Sequence, residues 1–108
     1  MSKEYKMTNT VAQLQLQDAR LHFGGVVHFD NAPQLCNEGL RLLKTAAKTV
    51  TIDMSQLQSS SSVVVAVLVS WVRAASEQQQ VLYCANMPPK LRAIIGVSGL
   101  TQVLPEPH

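Results

Sequence analysis

The chain has 108 residues, of which 46% are apolar and 15% charged, and its formal net charge is +2. That is one globular domain with material for a core but no room for a large internal active site. Its cations (Lys3, Lys6, Arg20, Arg41, Lys44, Lys48, Arg73, Lys90 and Arg92) are scattered, so the clustered charge that nucleic-acid binding needs is missing.

Residues 1–9 read as a flexible polar tail with no apolar signal core, and 10–108 as the domain. Val11 to Gln17 alternates apolar and polar residues, which predicts a half-buried strand. Asp18-Ala19 reads as a turn, and Arg20 to Phe23 resumes the alternation, completing a hairpin. Gly24-Gly25 allows a bulge or a close backbone approach, and Val26-Val27 could continue the sheet. Asp30 and Asn31 are N-cap types, and Pro33 suits a first helical turn. Leu35, Cys36, Leu40, Leu42, Leu43, Ala46 and Ala47 then recur at helical spacing, predicting an amphipathic helix to about residue 47.

Val50-Thr51-Ile52-Asp53 reads as a central strand ending on a carboxylate. A loop with four consecutive serines, Ser59 to Ser62, leads into an apolar helix predicted over about 62–77. On that helix Ser62, Ala66, Ser70, Arg73 and Glu77 form a polar stripe. Val64, Leu68, Trp71, Val72 and Ala75 lie opposite, toward the sheet, and Val63, Val65 and Val69 flank the stripe. Val81 to Cys84 is the next strand, so the segment from 50 to 84 is a βαβ unit with parallel pairing. Pro88-Pro89 opens a third helix with Leu91, Ile94, Ile95 and Val97 inward and Gly96 or Gly99 at its end. Residues 101–104 read as a last short strand or extended tail. The fold class is therefore α/β: a single domain with a mixed sheet of four or five strands and helices mainly on one face.

No catalytic set stands out. The glycine pair lacks the Lys and Ser/Thr of a phosphate loop. His22, His28 and His108 have no metal spacing with Cys36 and Cys84, which read as buried thiols. A Ser-His-Asp triad can be assembled on paper, but nothing in the sequence positions one. No cofactor or metal is expected. The apolar run 63–72 is too short to cross a bilayer, and with the unpaired cysteines this points to a reduced, cytoplasmic compartment.

The serine run has two readings. It is a polar turn with Ser61 or Ser62 capping the helix, or it is a docking or phosphoacceptor site, where added phosphate would repel an acidic or apolar partner. Asp53 is either a functional carboxylate or a structural one bonding loop N–H groups near Ser55. The flank Val63, Val65 and Val69 is either packed under the third helix or exposed as a contact patch.

Ile52-Asp53-Met54-Ser55-x-Leu57, a hydroxyl-rich loop and an apolar helix together resemble the signature of STAS domains. Element order and spacing extend the resemblance over about 10–104. Register from Asp53 puts the family's loop Asp at Ser61, its Ser/Thr at Ser62, and its glycine-type positions at Val63 and Val64. The Asp and the glycines are thus absent and the hydroxyl at Ser62 is retained. Val81-Leu82-Tyr83, Pro88-Pro89-Lys90-Leu91 and Gly99-Leu100-Thr101-x-Val103-Leu104-Pro105 resemble the C-terminal layout of the MlaB-like branch, the small subunit of Mla-type phospholipid ABC transporters. That branch implies a non-enzymatic regulatory subunit that binds the transporter's ATPase. The sigma-regulator branch implies an anti-sigma factor antagonist controlled by a serine kinase. Either way, Ser61, Ser62, Val63, Val65 and Val69 are the expected partner-binding residues, with Ser62 the possible phosphoacceptor.

Overall fold

The computed structural model describes residues 12–100 and Leu104. A hairpin opens the described chain: β1 (Gln13–Gln17) pairs antiparallel with β2 (Arg20–Gly24). Asp18 has φ 55° in the two-residue turn between them, a left-handed value that lets the turn follow the sheet's twist. Then α1 (Ala32–Leu43) crosses to β3 (Thr49–Asp53), and α2 (Ser62–Glu77) crosses to β4 (Val81–Ala85). Both crossovers are parallel, giving a mixed four-stranded sheet in the order β1-β2-β3-β4. The last described helix is α3 (Pro89–Val97). Of the expected strand 101–104 only Leu104 lies within the described residues, and it is buried.

Alternation decides which face is covered. Leu21, Phe23, Val50, Ile52, Leu82 and Cys84 are buried on the helix side. Gln13, Gln15, Gln17, Arg20, His22, Thr51 and Tyr83 lie on the other face and stay at least partly exposed. The helices therefore pack on one face, and among the described residues no helix or strand covers the second, polar face.

Trp71 is the centre of the core and is fully buried. Its ring meets Phe23 edge-on at a centroid distance of 4.9 Å, a favourable aromatic geometry. Its Nε1–H donates to the Cys36 carbonyl of α1 at 3.2 Å. Directly beneath the indole α1 carries Gly39, the only residue type with no Cβ to meet the ring.

Several boundaries differ from the sequence expectation for identifiable reasons. The first helix ends at Leu43 rather than near 47. Gln80 Nε2 donates to the Leu43 carbonyl at the helix end and to the Ala47 carbonyl of the following loop, each at 2.9 Å. The Leu43 carbonyl also accepts the Ala46 N–H of a closing turn, so the chain leaves the helix with its end group bonded. The sheet does not continue through Val26-Val27. Gly25 takes φ 86° and bonds instead to the loop after β3, with its N–H to the Gln56 carbonyl and its carbonyl to the Gln58 N–H. Val97 points outward, 91% exposed, because a helix whose buried residues are Leu91 and Ile95 turns position 97 to the far side.

The close approach expected at the glycine pair is real at Gly24. A Cβ there would sit 2.8 Å from Gln56 Cβ and 3.1 Å from its backbone oxygen. That backbone is held by the Gly25 bond, so it has little freedom to yield. Gly24→Ala is expected to lower stability by about 1–3 kcal/mol, read from the urea midpoint at unchanged denaturant slope.

Candidate functional site

The four serines divide by role. Ser59 is structural: its Oγ accepts from the Val27 N–H at 2.7 Å and lies 3.4 Å from the Val27 carbonyl. It ties the loop ahead of α2 to the loop ahead of α1. Ser61 holds the N-cap position with φ −150° and ψ 170°, but among the described residues no side chain caps the helix. The capping expectation for Ser61 or Ser62 is therefore corrected: the extended backbone at Ser61 is present and the side-chain bond is not. Ser62 is the first helical residue and is exposed. With no side-chain cap, the first-turn N–H groups of α2 remain available to solvent or a partner.

Beside Ser62 lies an apolar groove of about 450 Å³ between the starts of α1 and α2. Val63, Ala66 and Val67 form its α2 wall, and Pro33, Cys36 and Phe29 the other side. Phe29 is 82% exposed, an aromatic ring at the lip of an apolar hollow. Its loop is rigidly held, since the Asn31 side chain accepts from the His28 N–H and donates to the Val26 carbonyl, each at 2.9 Å. The paired loops place a hydroxyl, open helix N–H groups and an apolar surface together, a combination that suits a polypeptide partner.

The valine flank splits. Val63 lines the groove. Val65 is only 6% exposed and belongs to the core, so its expected place on a contact patch is corrected: its side chain is used inside the domain. Val69 is half-buried against the core and outside the groove. Phe29, Pro33 and Cys36 were not singled out as contact residues from the sequence. An aromatic ring between His28 and Asp30, in an otherwise polar turn, was the available signal.

Asp53 is structural. It is 8% exposed, and its Oδ1 accepts from the Ser55 N–H at 2.9 Å and from Asn86 Nδ2 at 3.1 Å. Its Oδ2 accepts from Arg20 Nε at 2.9 Å. Burial alone would raise this carboxyl's pKa, but the bonds from Ser55, Asn86 and Arg20 outweigh it and hold the group well below the usual carboxylate range. His22 Nδ1 stands 3.9 Å from Oδ2, beyond hydrogen-bond reach. His22, Asp53 and Ser55 therefore share a hollow on the open sheet face without forming a catalytic relay. Among the described residues no cluster of His, Cys, Asp and Glu could hold a metal, and no helix is long and apolar enough to cross a membrane.

A family model described as "Mlab, STAS domain" matches residues 10–105. The chain belongs to the STAS domain family. No curated protein matches it. Among solved structures, the unphosphorylated form of the anti-sigma factor antagonist SpoIIAA superposes at TM-score 0.71, with 16% identity over 91% of this chain and 89% of that one. An anti-sigma factor antagonist from Mycobacterium paratuberculosis gives 0.68, with 19% identity over 91% and 86%. The Bacillus cell fate determinant SpoIIAA in its phosphorylated form gives 0.66, with 16% identity over 91% and 92%. At these identities the likeness is one of fold. In this STAS domain the Asp53 tie sets the course of the loop that delivers Ser62 to the start of α2, and the groove lies immediately beside it.

Proposed function

We propose that this STAS domain is a non-enzymatic, cytoplasmic regulatory module that docks a protein partner on the Ser62 groove, and that the partner is the ATPase subunit of an ABC-type phospholipid transport system. The observation that carries the docking role is the adjoining of exposed Ser62 to an apolar groove lipped by exposed Phe29. The Mlab description of the matching family model supports the transporter partner. A second reading, an anti-sigma factor antagonist controlled by phosphorylation of Ser62, is favoured by the fold shared with SpoIIAA, which has itself been solved in a phosphorylated form.

Affinity purification from the native cell tests the choice. Co-purification of an ABC-type ATPase with its permease is expected. Recovery of a serine kinase or sigma-factor regulator without a transporter ATPase would reverse the assignment.

Binding by variants tests the surface. Phe29→Ala is expected to weaken partner binding by about 2 kcal/mol, roughly thirtyfold in Kd, with an unchanged melting temperature because the ring is exposed. Ser62→Glu is expected to abolish binding and keep the fold, since a carboxylate is tolerated at a helix start. Ser62→Ala is expected to change stability by no more than about 0.5 kcal/mol, the hydroxyl having no capping role. Full binding by folded Ser62→Glu protein would remove Ser62 from the contact.

A further inference from the structure

β1 is an edge strand of the sheet with a symmetric sequence. The strand reads Gln13-Leu14-Gln15-Leu16-Gln17, the same in both directions about Gln15. It carries no charge and no proline, two of the devices by which edge strands normally resist pairing. Among the described residues no strand lies beside it. Gln17 pairs with Arg20 across the two-residue turn, so the backbone groups of the glutamines face β2. The N–H and C=O groups of Leu14 and Leu16 then face the outer edge.

We infer that two copies of this chain associate through antiparallel β1–β1 pairing about a twofold axis at Gln15. Leu14 of one copy lies opposite Leu16 of the other, and these pairs exchange about four main-chain hydrogen bonds. Gln15 faces its own counterpart on the open face, flanked by two Gln13–Gln17 pairs. Directly opposed residues share a face, so both helix layers lie on one side of the doubled sheet, and both Ser62 grooves belong to one assembly. Leu14 and Leu16 are only half-buried in the single chain. A hollow of about 200 Å³ beside Leu14, bounded by Gln34 and Leu35 of α1, is open to receive the partner copy's Leu16. Glu38, also at this hollow, is paired with Arg41 of its own helix.

Five residues a side fall short of the roughly 800 Å² per partner of a stable complex. The dimer is therefore weak, with a Kd on the order of 0.1 mM. Sedimentation of the full chain from about 10 µM to about 1 mM should show reversible dimerisation on this scale. Amide exchange should show the Leu14 and Leu16 N–H groups gaining protection as concentration rises.

Gln15→Lys and Gln15→Glu, both on the exposed face, should each weaken association about fivefold to tenfold by placing like charges across the axis. An equal mixture of the two should associate at least as well as the wild type. A wild-type chain that stays monomeric at about 1 mM overturns the inference. So does dimerisation indifferent to both variants, which would place the contact elsewhere. Protection of Leu14 and Leu16 that does not depend on concentration would assign the edge to residues 1–11 of the same chain, against a second copy.

Discussion

Gly39→Ala is expected to destabilise the domain by about 3 kcal/mol, although it replaces glycine with the best helix former inside a helix. On an exposed helix surface the exchange would gain about 1 kcal/mol. Here the added Cβ would sit 2.1 Å from Trp71 Nε1 and 2.2 Å from Cε2, where carbon contacts prefer about 3.5–4.0 Å. The indole cannot step aside, because Phe23 meets its ring and the Cys36 carbonyl holds its N–H. Either α1 lifts from α2 or the ring leaves its rotamer, and overpacking of this kind costs about 1–3 kcal/mol, sometimes more. Thermal unfolding should show a fall on the order of 10–20 °C. Trp71→Phe also loses packing, but Gly39→Ala in that background should cost about 2 kcal/mol less than in the wild type. Additive effects in the double variant would mean that the ring and the glycine do not touch.

Asp53→Ala is expected to cost about 2–3 kcal/mol at neutral pH, since bonds to a charged acceptor are the stronger kind and their donors would be left without it. The Arg20 share is the smaller, because its side chain is 44% exposed and solvent screens the pair. Asp53→Asn keeps an acceptor for Ser55 and Asn86 but turns an N–H toward Arg20, so an intermediate loss of about 1–2 kcal/mol is expected.

The pH dependence has a definite sign. The folded carboxyl titrates below the usual range, so its contribution is complete above the unfolded value of about 3.9 and fades as pH falls below it. Urea unfolding of the wild type and Asp53→Asn should therefore differ fully at pH 6, and the gap should narrow steadily below about pH 4. A gap that stayed constant down to about pH 2 would show that charge on Asp53 plays no part in the tie.

Local pattern was enough for much of this fold. The alternation through 11–17 and 20–23, the turn at Asp18-Ala19, the helix at 62–77 and the βαβ unit at 50–84 all follow from short-range rules. Period-two and period-3.6 burial are properties of neighbouring residues, readable without knowing what lies across the core. Ser62 was locatable for the same reason: a strand, a hydroxyl-rich loop and a helix start are consecutive in the chain.

What pairs distant residues was left to the tertiary structure. Gly39 carries no mark in the helical pattern of 35–47, and only the arrival of Trp71, far along the chain, makes its missing Cβ necessary. Val65 looked available on a helix wheel, yet α2 is covered on more than its sheet face, as the buried Val64, Val65, Val67 and Leu68 show. The groove beside Ser62 depends on Ser59 tying its loop to Val27, which brings Phe29 and Pro33 to α2. Asp53 was open between a functional and a structural reading because its partners Arg20 and Asn86 are each 33 residues away. A hydrogen bond between side chains that distant leaves no periodic trace in the sequence, and it exists only once the crossovers have laid β2, β3 and β4 side by side.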